Sequence, residues 1–155
     1  AALVHQGLVT TDDLVHAEEH SLEVQLPFLQ VIYPKTPIIP LLVGNASHQA
    51  VAAVIEALWD PPRTLVLISS DLSHFHPYDE AMAADEKTCQ AILAKRWDHL
   101  GPGSACGRIA IGGLLEVARR RGLSIAALDV RNSGDTAGSH DRVVGYGAFA
   151  VGHWS

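Results

Sequence analysis

The sequence predicts an α/β fold in which a mostly parallel sheet is flanked by helices. Short apolar runs, of the kind found in buried parallel strands, alternate along the chain with longer segments whose apolar residues recur at helical spacing. The chain has 155 residues, of which 48% are hydrophobic. This is enough to bury a core without disulfide or metal staples. We therefore treat residues 1–155 as a single domain.

The first half of the chain contains a predicted strand–helix–strand unit. Residues 36–43 (TPIIPLLV) and 63–68 (RTLVLI) are apolar runs without polar alternation, which favours strands covered on both faces. Residues 46–59 lie between them and carry apolar side chains at helical spacing. The Asp-Pro-Pro sequence at 60–62 ends this helix.

The pattern in the second half of the sequence predicts two helices and two strands. The clearest helix covers residues 105–121, because an apolar stripe follows one face, three arginines fill the last turn and Gly122 comes next. The other elements are a polar, alanine-rich helix and two apolar strands joined by a polar loop. The helix covers residues 78–97. The strands cover residues 123–130 and 143–151, and the loop covers residues 131–142.

Composition excludes several classes of function. The formal net charge of −6 argues against nucleic acid as a partner. No apolar stretch approaches the ~18 residues of a membrane span. Cys89 and Cys106 are too few for a disulfide scaffold, which favours a reducing compartment. We expect a soluble, cytoplasmic protein with neither nucleic acid nor membrane as its partner.

Two predicted loops carry side chains suited to chemistry. Ser70, Asp71 and His74 follow the strand at 63–68, where ligands of parallel sheets collect. Cys106 lies near a helix N-terminus, where the helix dipole favours a thiolate. The structural alternatives are an Asx-type turn with a hydrogen-bonded histidine, and a small buried thiol.

A third segment places His20 and Glu23 three residues apart, so one helical turn points both side chains the same way. Pro27 predicts that the following helix begins near Leu26 or bends there. A surface histidine beside acidic residues is the structural alternative.

A thiol together with imidazoles favours Fe(II) or Zn(II) over magnesium or calcium, which prefer oxygen ligands. The sequence has no GxSxG, HExxH or paired CxxC motif. A nucleophilic pair of Cys106 with His74 or His20 stays open as a hydrolase alternative.

Four separated blocks of the chain resemble the Memo-like family, also called AmmeMemoRadiSam system protein B. These blocks are EHSLEVQLPFL at 19–29, ISSDLSH at 68–74, ACGRIAI at 105–111 and NSGDTAGSHDRVVGY at 132–146. The resemblance implies a fold similar to the LigB-type class III extradiol dioxygenases. In those enzymes non-heme iron binds a catechol and dioxygen.

The resemblance also implies roles for individual residues. His20 and Cys106 match positions of metal ligands, while Asp71 and His74 match polar residues of the same pocket, with His74 as an acid or base. We expect three further side chains to contact a substrate, namely Glu23, Ser70 and Arg108.

The PHAGY-like first block of the family, which supplies another histidine ligand, is absent from this sequence. We therefore expect the C-terminal two-thirds of the family domain, with an unpaired sheet edge. The remaining ligand would come from His74, Glu23, an oligomeric partner or a complementary N-terminal segment.

The resulting hypothesis is an extradiol-dioxygenase-like oxidoreductase that uses Fe(II), with Zn(II) as the second choice of metal. A thiolate ligand departs from the usual two histidines and one carboxylate, so ring cleavage does not follow from the fold. The first alternative is a non-catalytic scaffold whose cleft holds a metal, a small molecule or a peptide. A Cys–His hydrolase is the third interpretation.

Overall fold

A computed structural model describes residues 2–136 and 138–154. Ala1, Ser155 and Ala137, which belongs to the predicted loop 131–142, lie outside this description. The α/β class is confirmed, because helices pack on a small sheet. The helices and strands in chain order are α1 Ala2–His5, α2 Leu26–Ile32, α3 His48–Leu58, β1 His74–His76, α4 Tyr78–Leu93, α5 Arg108–Arg121, β2 Ser124–Asn132 and β3 Val143–Gly152.

The sheet has the strand order β1-β3-β2, and both of its pairings are antiparallel. The prediction of a mostly parallel sheet is therefore not confirmed among the described residues. The physical reason lies in the connection between β2 and β3. The connection between them holds a 3-10 turn at Ser133–Asp135 and, among its described residues, no crossover α-helix. Such a connection produces a hairpin, whereas parallel neighbours require a crossover.

The predicted strands at 36–43 and 63–68 are not paired in the structure. Neither range contains a strand or bridge, and Ile39 and Leu65 are exposed. The short strand β1, in contrast, was not predicted. It comes from the segment that we expected to be a loop after residue 68.

The predicted helices are present with shorter ends. Ser47 caps α3, since its Oγ accepts a hydrogen bond from the Ala50 N–H at 3.2 Å. Gly122 ends α5 in the left-handed conformation with φ of 66°. The helix α2 begins at Leu26 with Pro27 in its first turn, as predicted. None of the described helices combines the length and apolar character needed to cross a membrane.

The core forms where α5 packs against α3 on one side and against α4 and the sheet on the other. Val117 lies in the cluster between α3 and α5, and Leu115 lies in the cluster with Ile92 of α4. Gly113 allows the two helices to approach closely, because a Cβ at this position would lie 2.5 Å from Val51 Cγ1. A third cluster of Leu72, Cys89 and Ala105 lies directly below the loops that carry polar side chains; this cluster positions the site.

Replacing Gly113 with Ala should destabilise the protein, although Ala favours a helix by about 1 kcal/mol. The new methyl group would overlap Val51, and overpacking of this kind costs about 1–3 kcal/mol. We expect a lower free energy of unfolding in urea titrations. Adding Val51→Ala should recover part of the loss, so that the double variant is more stable than the sum of the single effects predicts. Strict additivity would contradict the proposed helix–helix contact.

Candidate metal centre

The loop between residues 68 and 74 is fastened to the central strand β3. The Leu72 N–H donates to the Gly145 carbonyl at 2.8 Å, and the Gly145 N–H donates to the Ser73 carbonyl at 2.9 Å. These bonds extend the pairing of β1 with β3 backward along the loop. Asp71 and His74, on either side of the bonded residues, are thereby held at fixed positions on the sheet.

A buried carboxylate of α4 supports the same loop from below. Asp85 is only 3% exposed, and its Oδ1 accepts the Ser73 N–H at 2.9 Å. A side chain at position 145 would overlap Asp85 Oδ2, so only glycine permits the carboxylate to sit against β3. The spacing of Ala81, Asp85 and Ile92 places all three on one face of α4. This spacing is the sequence signal that could have identified Asp85 as buried.

A β-bulge then directs His74. The register changes from His74 opposite Val144 to His76 opposite Val143, which leaves Phe75 as the extra residue. Phe75 has φ of 62°, a conformation that costs a non-glycine residue about 1–3 kcal/mol. Bulges of this kind re-aim neighbouring side chains next to functional sites. Arg142 lies over the exposed Phe75 ring at 4.9 Å from its centre, which keeps this ring in place.

The loop at Ser70 and Asp71 is joined to the residues before α5, an arrangement that we call the Asp71–Cys106 clasp. The Cys106 N–H donates to the Asp71 carbonyl at 3.3 Å, and the Asp71 N–H donates to Cys106 Sγ at 3.2 Å. The Gly107 N–H donates to Ser70 Oγ at 2.8 Å. A Cβ on Gly107 would lie 2.8 Å from Ser70 Cβ, so this approach requires glycine.

The clasp brings three different donor atoms together. One ligand atom each from Asp71, His74 and Cys106 lies within 4.8 Å of the others. His74 Nε2 and Asp71 Oδ2 are 3.3 Å apart. Two ligands at the usual distances of about 2.0–2.3 Å from a tetrahedral ion lie about 3.3–3.8 Å apart, and the His74–Asp71 spacing already matches this range. An oxygen, a nitrogen and a sulfur form a donor set suited to Zn(II) or Fe(II). Cys106 is exposed, so the site opens to solvent on the sulfur side.

His20 and Glu23, which the sequence analysis placed in the same site, form an exposed pair outside this cluster. His20 Nδ1 pairs with Glu23 Oε1 at 2.7 Å, with side chains 78% and 64% exposed, and His20 is not a member of the three-residue group. One hydrogen bond, from Gln25 Nε2 to Ser69 Oγ at 3.2 Å, connects the segment after Glu23 to the site loop. The role of His20 as a metal ligand stays a prediction.

The structure describes the surroundings of Ser70 and Arg108, and their contact with a substrate stays a prediction. Ser70 Oγ donates to the Asp71 carbonyl at 2.7 Å and belongs to the clasp. Arg108 is the first residue of α5 and is half-buried. The contribution of Asp85, Gly107 and Gly145 to the site was missed by the sequence analysis, because these residues act through the backbone of the residues that they support.

The two cysteines lie in different environments. Burial, followed by the nearby Asp85 and Glu86 carboxylates, raises the pKa of the Cys89 thiol from 9.0 to about 11. Cys89 is therefore a neutral thiol in the apolar cluster below the site, whereas Cys106 is the exposed thiol of the clasp.

Comparison with known proteins places the chain in a defined group. The family model described as Memo-like protein matches residues 2–150.

Three relatives that carry the name MEMO1 family protein are similar to the chain. The relative from Desulfurococcus amylolyticus is 32% identical over 88% of the chain and 53% of its own length. The relative from Methanosarcina mazei is 34% identical over 94% of the chain and 59% of its own length. The relative from Methanopyrus kandleri is 34% identical over 95% of the chain and 57% of its own length. The chain thus spans somewhat more than half the length of these relatives.

Removing the Asp85 carboxylate should loosen the site loop. In Asp85→Asn, the Ser73 N–H keeps an oxygen acceptor but that acceptor is no longer a carboxylate. Bonds to charged groups contribute about 1.5–3 kcal/mol and neutral bonds about 0.5–1.5 kcal/mol, so we expect a loss of about 1 kcal/mol. We expect a lower free energy of unfolding and faster hydrogen exchange of the Ser73 amide. Glu86→Gln, on the exposed side of the same helix, is the matched control and should change neither. Unchanged exchange at Ser73 in the Asp85 variant would contradict the supporting role.

The raised pKa of Cys89 predicts a loss of stability in alkaline solution. The unfolded chain releases this proton near pH 9.0 and the folded chain near 11, so the folded state binds more protons between these values. Stability from this group is complete below pH 9 and declines as the pH rises toward 11. We expect the stability of the wild type relative to Cys89→Ala to fall across this window in urea titrations. A constant difference would contradict a buried, neutral Cys89.

Proposed function

The chain belongs to the Memo-like protein family, and on this basis we propose that it binds one Fe(II) or Zn(II) ion through Asp71, His74 and Cys106. The observation that carries the proposal is the grouping of the three ligand atoms within 4.8 Å. Their side chains come from two segments that lie far apart in the sequence, residues 71–74 and residue 106. A carboxylate oxygen, an imidazole nitrogen and a sulfur all bind borderline transition metals well.

The surroundings of the three side chains support this assignment. The Asp71 N–H points at the Cys106 sulfur, and such a donor balances the negative charge of a thiolate without removing it as a ligand. The Ser70 hydroxyl is 3.4 Å from the same sulfur. Outer contacts of this type orient metal ligands and tune their affinity. His74 Nε2 lies 3.3 Å from Asp71 Oδ2, so the two side chains are already close enough together to bind the same ion.

We further propose an oxidoreductase role similar to that of the extradiol dioxygenases. When bound, Fe(II) would supply the activation of dioxygen and the binding of a diol. Cys106 is exposed, so its sulfur is accessible from solvent. Arg108, the half-buried first residue of α5, is our candidate for contacting such a molecule. A reduced thiol at position 106 requires a reducing environment, so we propose a cytoplasmic location. His20 remains a candidate for an additional ligand.

Metal binding tests the first part of the proposal. We expect purified protein to bind Co(II) or Zn(II), with a thiolate-to-Co(II) absorption band that Cys106→Ser abolishes. Asp71→Asn and His74→Ala should each lose most of the bound metal. Ser70→Ala should weaken binding by about 10- to 100-fold, as expected for an outer contact.

His76→Ala is the matched control, because His76 lies on the same strand and outside the group of three. It should bind metal like the wild type. His20→Ala measures the contribution of the exposed histidine separately. Full metal binding by Cys106→Ser and His74→Ala together would contradict the proposed centre.

Oxygen consumption tests the oxidoreductase role. The protein would be loaded with Fe(II) under anaerobic conditions and mixed with catechols, and oxygen uptake would be recorded. We expect uptake that depends on both Fe(II) and Cys106. Stable Fe(II) binding without uptake on any catechol would contradict the dioxygenase role and would leave a metal-binding protein.

A further inference from the structure

Strand β2 is an open edge of the sheet. It pairs with β3 on one side, and no other described residue forms a hydrogen bond with the backbone of residues 124–131. The strand is nine residues long. Long open edges of this type readily pair with another strand. The side chains near the edge are accessible, with Leu128 exposed by 68% and Val130 by 43%.

The hydrogen bond of Asn132, the last residue of β2, shows which backbone groups of the strand point away from β3. The Asn132 N–H donates to Asp135 Oδ2 at 2.7 Å instead of to β3. Alternate residues of a strand point their backbone groups the same way. The N–H and carbonyl groups of Val130, two residues earlier, therefore point toward the open edge and are available to a partner strand.

The charges on β2 complement a second copy of the same strand. Asp129 and Arg131 project from the same face of the strand, and Arg131 Nε lies 2.7 Å from Asp129 Oδ2. Both side chains are more than half exposed, at 52% and 61%. In an antiparallel pair of two copies centred on Val130, Asp129 of each copy lies opposite Arg131 of the other. The four side chains then form a closed ring of alternating charge.

The neighbouring registers are disfavoured by the same charges. If the two β2 strands paired about Asp129, the two copies of Asp129 would lie opposite each other. If they paired about Arg131, the two copies of Arg131 would lie opposite each other. Like charges directly opposite in a sheet are destabilising, while opposite charges stabilise. In the register centred on Val130, the ion pairs also occupy the closer, non-hydrogen-bonded positions of the ladder.

We propose that two copies of this chain associate through β2, in antiparallel register about Val130, to form a continuous six-stranded sheet. The interface is self-complementary, as a two-fold axis requires. The metal-binding proposal is independent of this association, since none of the three metal-site residues lies on β2.

Charge exchange tests the register. Sedimentation velocity over a wide range of concentrations should show a monomer–dimer equilibrium for the wild type. Asp129→Arg and Arg131→Asp should each raise the dimer dissociation constant by about tenfold or more, because each substitution places like charges opposite at two symmetric positions. The double variant with both substitutions restores opposite charges and should recover the wild-type dissociation constant.

Val130→Pro tests the backbone bonds without changing the charge. It removes the outward N–H and leaves the pairing of β2 with β3 intact, so we expect a folded monomer with an unchanged circular dichroism spectrum. A wild type that is monomeric at every concentration would overturn the proposal. A dimer that tolerates both single reversals, or that the double variant fails to restore, would also overturn it.

Discussion

The Asp71–Cys106 clasp is the interaction on which the candidate site depends. Two loops exchange backbone hydrogen bonds there, and one of these bonds ends on the Cys106 sulfur. The clasp closes only because Gly107 has no side chain to displace Ser70. It places a thiol, a carboxylate and an imidazole from two distant parts of the chain within 4.8 Å of one another.

Two features next to the clasp destabilise the folded state, namely a buried carboxylate and a strained backbone conformation. The buried Asp85 carboxylate accepts a hydrogen bond from the Ser73 N–H and from no other backbone donor in the described part of the chain. Phe75 adopts a left-handed conformation. Buried charges and strained residues persist where the surroundings hold them firmly, and such features cluster at functional sites. Here both act on the short segment that carries Asp71 and His74. The pairing with β3 and the apolar cluster around Leu72 supply the offsetting stability.

The end of β2 is linked to the same region through α4. Asn132 and Asp135 form a capping box after the strand, and the Tyr78 hydroxyl donates to Asp135 Oδ1 at 2.6 Å. This bond is the largest cause of the lowered pKa of Asp135, which stays ionised as the acceptor. The His140 ring stacks on Tyr78 with centres 4.4 Å apart. The loop between β2 and β3 is thus attached to the start of α4, and the two proposed features, the metal centre and the strand edge, belong to one connected framework.

The sequence by itself determined the α/β class, the main helices and the two segments whose side chains meet at the candidate metal centre. It did so because helical spacing, capping residues and polar loops are local signals. The antiparallel sheet was decided only by the tertiary structure, since an apolar run does not specify its partner strand. The grouping of Asp71 and His74 with Cys106, and the position of His20 outside that group, also depend on the fold. The grouping depends on two close contacts that only glycine allows, Gly107 against Ser70 and Gly145 against Asp85. These contacts join residues that lie far apart in the sequence, so no local pattern indicates them.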